Sequence, residues 1–87
     1  MKADPATITR QLKIARGQLD VILRMVEEDR YCVDISNQIL ATQALLKRIN
    51  KEILEAHIRH CVREGLHSDD PNPKLEEALS LLEKMMS

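Results

Sequence analysis

From Val33 to Glu64 the chain contains neither proline nor glycine, and Gly65 closes the run. Within it Ile35, Ile39, Thr42, Leu46, Ile49, Ile53 and Ala56 recur at alternating spacings of four and three. That is the signature of a helix with a heptad-like seam. Leu40, Leu45, Leu54 and Ile58 widen its apolar face. At the standard rise, ~32 helical residues extend about 48 Å. That is long for an 87-residue chain, and a helix of this length calls for a partner along it.

The flanking segments are helical too. Asp4-Pro5 is a start signal, with an aspartate to cap the free N–H groups and a proline at the first helical position. Ile8, Leu12, Ala15, Leu19, Ile22 and Val26 then form a second four-and-three seam. The acidic run Glu27-Glu28-Asp29 opposes the helix dipole, so this helix should end near Asp29. After a polar loop from His67 to Pro73, Asn72-Pro73 repeats the start signal. A short helix follows with Leu75, Ala78, Leu79 and Leu82 on one side. The expectation is a single all-α domain over residues 1–87, with helices at about 5–29, 33–64 and 73–86. Two long helices and one short one cannot bury all this apolar surface alone. Pairing two copies gives a four-helix bundle.

Composition narrows the function. Hydrophobic residues are 44% and charged residues 31% of the chain, which excludes a disordered tail. Tyr31 is the only aromatic, so the core is aliphatic. A net charge of -1 gives no global basic field, and any DNA contact must rest on local charge. The opening residues lack the apolar segment of a signal peptide, and no stretch reaches the roughly 18 apolar residues of a membrane helix. The expectation is a cytoplasmic protein with no membrane association, in which two cysteines act as ligands or redox centres. Nothing suggests an enzyme. A cysteine and a histidine can make a nucleophile, but no oxyanion loop or third catalytic group accompanies them.

His57 and Cys61 are four apart, so one helix face carries both a turn apart. Cys32 lies 25 residues before His57, about 37 Å along a continuous helix. It cannot join the other two within one chain. In an antiparallel dimer the start of one long helix lies beside the end of the other. Cys32 of one protomer could then meet His57 and Cys61 of its partner, with two such sites by symmetry. Two thiolates and an imidazole form a soft set suited to Cu(I), and also to zinc or iron–sulfur clusters. Structural zinc usually takes four protein ligands, whereas Cu(I) is content with three. His60 points about 100° away from Cys61 and is expected to be solvated or to make a surface contact.

These residues carry a resemblance. The segments LKIARGQLD, MVEEDRYCVDIS and EAHIRHCV, and the order Cys32, His57, Cys61, resemble the copper-sensing operon-repressor (CsoR) family over most of the chain. The resemblance implies antiparallel dimers paired into disc-shaped homotetramers, with Cu(I) bound between subunits. It also implies supporting roles for Tyr31, beside the first cysteine, and for Glu77, which would accept the free imidazole N–H of His57. Nickel- and cobalt-sensing relatives carry an N-terminal histidine and a histidine in place of Cys61. Formaldehyde sensors carry a proline where this chain has Lys2. Persulfide sensors keep both cysteines and lack the histidine.

Arg10, Lys13 and Arg16 form a basic stripe on the first helix, and Lys47, Arg48 and Lys51 a second cluster on the long helix. Such runs are often only solvated faces with intrahelical ion pairs. The resemblance implies that they grip operator DNA, and it matches Arg16 and Arg48 to basic positions of the family. Gln11 departs from it, standing where many relatives have arginine. The function expected is a Cu(I)-responsive repressor that binds operator DNA when metal-free and releases it on binding Cu(I). Two other readings stay open at this point. One is a persulfide-responsive repressor using Cys32 and Cys61. The other is a helical structural adaptor with no ligand.

Overall fold

The computed structural model describes residues 1–65 and 73–86, so the loop expected from His67 to Pro73, apart from Pro73 itself, and the cap expected at Asn72 lie outside the described residues. Three helices make up the fold: α1 (Pro5–Glu27), α2 (Cys32–Gly65) and α3 (Pro73–Met86). No strand occurs among the described residues.

Asp4 caps α1 as its place before Pro5 predicts. Its carboxylate accepts from the backbone N–H groups of Ala6 and Thr7. The Thr7 hydroxyl donates to the same group at 2.6 Å, and this bond above all holds the Asp4 carboxyl below the usual carboxylate value. The far end of α1 differs from the expected boundary. The helix stops at Glu27 because Asp29 takes the left-handed conformation, with φ 52°. The Asp29 N–H donates to the carbonyl of Val26, and the Arg30 N–H to that of Met25. These two bonds make a Schellman stop with aspartate where glycine is usual. The carbonyl of Tyr31 then accepts from the Asp34 and Ile35 N–H groups. The long helix therefore begins at Cys32, one residue before the expected start.

α1 and α2 form an antiparallel hairpin. Ala3, Ile8 and Ala15 pack with Leu45 and Ile49, and Ile53 and Ala56 close the cluster. One polar bond crosses this seam, where the Thr42 hydroxyl lies 2.8 Å from Gln18 Oε1 and 3.2 Å from the carbonyl of Gln38. Thr42 is buried, so its hydroxyl needs a partner. Replacing Thr42 by valine removes the bond between the helices. The expected cost is about 1 kcal/mol, measured by denaturant unfolding at fixed protein concentration.

α3 packs on α2 and does not touch α1. The chain is a slab measuring 58 × 29 × 12 Å, about one helix thick. Its radius of gyration is 17.4 Å, against roughly 12 Å for a compact domain of this length. Its accessible surface is 6806 Å², against roughly 5,200 Å² for a compact monomer of this mass. One layer of helices leaves apolar stripes uncovered. Leu12, Leu19 and Val26 of the α1 seam are exposed, as are Ile39, Leu40 and Leu46 of α2. The hairpin covers only the side of each seam that faces its own neighbour.

Candidate metal centre

His57 and Cys61 sit on consecutive turns of α2, and their spacing brings Nε2 of the ring to 3.6 Å from the sulfur. A metal ion bonded to sulfur at ~2.3 Å and to nitrogen at ~2.0 Å, with about 110–120° between the bonds, holds its donors roughly 3.5–3.8 Å apart. The pair therefore already has the span that a shared ion requires. Nε2 faces the sulfur, which leaves Nδ1 for a supporting hydrogen bond. Cys61 is 1% exposed and His57 half-buried. Such an ion would be shielded from water on the side of the protein.

Cys32 is not brought to this pair. It is exposed at the first turn of α2, the same continuous helix that carries His57 about 37 Å further on. Among the described residues no three His, Cys, Asp or Glu side chains gather closely enough to hold a metal. The chain alone thus presents a two-donor half-site and a separate thiol at the other end of the helix.

The two residues matched as supports are also apart from the pair. Tyr31 is exposed, and its backbone carbonyl accepts the first N–H groups of α2. Glu77 is exposed on α3 and makes no hydrogen bond to His57 within the chain. His60 does not join the pair; its Nε2 lies 2.9 Å from Oε1 of Glu64.

The six basic residues singled out on α1 and α2 are all exposed. Of these, only Lys51 makes an ion pair among the described residues, to Glu55 at 3.8 Å. Arg10 and Lys13 line an open groove with Pro5, Ala6, Thr9 and Ile14. Gln11 is half-buried, with Oε1 enclosed and without a hydrogen-bond partner. Two further exposed cations lie on α2. Arg59 and Arg63 continue the α2 cluster, and their four-residue spacing is the signal that could have revealed them.

The metal-sensitive transcriptional repressor family matches residues 4–84, and the chain belongs to that family. It is a regulator and not an enzyme. It is 44% identical over 77 residues to the copper-sensing transcriptional repressor CsoR of Bacillus subtilis (strain 168), covering 88% of this chain and 76% of that protein. Among solved structures, it resembles the copper-sensing repressor CsoR with Cu(I) from Geobacillus thermodenitrificans NG80-2. That match has a TM-score of 0.79 at 33% identity and covers 94% of this chain and 85% of the other. The nickel-responsive transcriptional regulator InrS shares the fold with a TM-score of 0.75 at 21% identity, covering 99% and 92% of the two chains. No described helix is long and apolar enough to cross a membrane.

Proposed function

We propose that this protein is a Cu(I)-responsive transcriptional repressor. The observation that carries the reading is the 3.6 Å contact between His57 and Cys61, in a chain that also holds a thiol with no in-chain mate. Two thiolates and one imidazole suit a soft monovalent ion, and copper sensing is what the B. subtilis relative is named for. Cys61 carries sulfur at the position where the nickel sensors of the resemblance carry nitrogen. The persulfide sensors of the resemblance lack the histidine that this chain carries at His57, and Cys61 is buried, which limits its access to reagents in solution.

Assembly completes the site. A slab one helix thick needs a second layer to bury its apolar stripes. An antiparallel partner supplies that layer and brings its own Cys32 to His57 and Cys61. Pairing of two such dimers gives the tetramer. Cys32 of one chain and His57 and Cys61 of the other would hold Cu(I), a soft Lewis acid, through two thiolates and one imidazole. The residues of the chain do the rest. Cys32 ties the first turn of one α2 to the far end of the other. Tyr31 stands next to that tie, and Glu77 orients the imidazole by accepting from Nδ1. Metal-free, the exposed side chains of Arg10, Lys13 and Arg16 on α1 and of Lys47, Arg48 and Lys51 on α2 hold operator DNA by its phosphates, in the cytoplasm.

The basic residues and the ligands occupy different parts of the helices, so Cu(I) acts by linkage rather than by competition. A coupling of ~1–3 kcal/mol corresponds to operator affinity about 5–150-fold weaker with Cu(I) than without it. Fluorescence anisotropy at one fixed salt concentration measures both states. Equal affinities would end the proposal.

A further inference from the structure

The cationic surface of α2 does not stop at Lys51. Arg48, Lys51 and Arg59 line one open groove of about 420 Å³ together with Glu52 and Glu55. Arg59 also lines the next groove, of about 240 Å³, with Lys2, Ala56, His60 and Arg63. The two grooves have Arg59 in common. Burial of Ala3 against the hairpin core holds the chain start in place and sets Lys2 on the groove wall. Among the described residues no carboxylate lines the second groove itself. Among the described residues neither Lys2 nor Arg63 makes an ion pair. Three carboxylates oppose this charge: Glu52 and Glu55 line the first groove, Glu55 lying 3.8 Å from Lys51 and 3.9 Å from Arg59, and Glu64 lies 2.9 Å from His60 of the second.

We infer that Lys2, Arg59 and Arg63 form a second phosphate-binding surface that extends the DNA grip of α2 toward its C-terminal end. This rests on the repressor reading above. From Arg48 to Arg63 the helix rises about 22 Å. A strand of duplex DNA presents about six phosphates over that distance. Arginine suits the task because its planar fork meets phosphate oxygens in pairs. The placement also joins grip to sensor. Arg59 follows His57 by two residues, and Arg63 follows Cys61 by two. A two-residue step turns a helix by about 200°, so the arginines leave α2 on the side opposite the ligand pair. Any shift of these two turns moves both faces together.

The test uses the full-length, metal-free protein and a fluorescent duplex that the wild type has selected from a randomised pool. Operator affinity is measured over a series of salt concentrations for three proteins. These are the wild type, the double variant Arg59→Gln with Arg63→Gln, and Glu55→Gln. The double variant should bind about a hundredfold more weakly or worse, each lost charged hydrogen bond counting for about tenfold. The slope of log affinity against log salt should fall by about 1 for each lost phosphate contact. Glu55→Gln frees Lys51 and Arg59, so it should bind more tightly with a steeper slope. A double variant with the wild-type slope overturns the inference while leaving the repressor reading intact. If the double variant does not fold, Glu55→Gln decides, and wild-type affinity and slope there overturn it as well. A wild type that selects no duplex refutes the repressor reading and this inference with it.

Discussion

Replacing Cys32 with serine is expected to weaken Cu(I) binding by more than about a hundredfold and to leave the thermal unfolding midpoint of the metal-free protein unchanged. Outer-sphere partners of metal ligands alone are worth 10–100-fold in affinity, so the loss of a direct thiolate ligand should exceed that. Stability should hold because Cys32 is exposed in the chain and serine nearly matches its shape where it would meet the partner. The two effects together separate a ligand from a structural residue. His57→Ala should bring a comparable loss of copper. Competition titration of the reduced, anaerobic protein against a Cu(I) chelator gives both numbers. Unchanged affinity in the histidine variant would return the choice to the two-cysteine sulfur sensor.

The second large effect is a rescue. A Cys32→Ser chain keeps His57 and Cys61, and a chain carrying both His57→Ala and Cys61→Ser keeps Cys32. Neither variant alone has a complete site. In a mixed antiparallel dimer, one end combines the two defects and the other combines the three intact ligands. Random mixing makes about half of the dimers mixed, so about a quarter of a tight site per chain should return. Unfolding and refolding the two variants together, followed by the chelator titration, reads this directly. If the ligands instead met within one chain, mixing would restore nothing.

Some of the architecture was plain from residue order. The run free of glycine and proline from Val33 to Glu64 could only be a long helix, and Asp4-Pro5 marked where α1 begins. The meeting of His57 and Cys61 followed from a four-residue spacing, which a helix converts into a contact. Other features depended on what lies across space. The stop at Asp29 was misplaced by two residues because its left-handed backbone is a choice that glycine announces and aspartate does not. Periodicity marked Leu12 and Leu19 as apolar-face residues, but it cannot say which neighbour covers them. The Thr42–Gln18 bond needed the register of two helices. Lys2 lies far from Arg59 in sequence, and only the fold of the hairpin sets them around one groove.

The contact map has a consequence for how the protein comes into being. α1 touches only α2, and α3 touches only α2, so every packing step within the chain joins helices that are adjacent in sequence. The tight turn at Glu28–Tyr31 keeps the closure between α1 and α2 short. Folds rich in such local contacts complete in microseconds to milliseconds. With the proposed dimer, the slow step left over would be the meeting of two chains, whose rate depends on how many chains are present. Newly made slabs would then wait with their apolar stripes open, and the time they wait lengthens as the protein becomes scarcer. A regulator present in few copies per cell would therefore reach its working form at the pace of encounter.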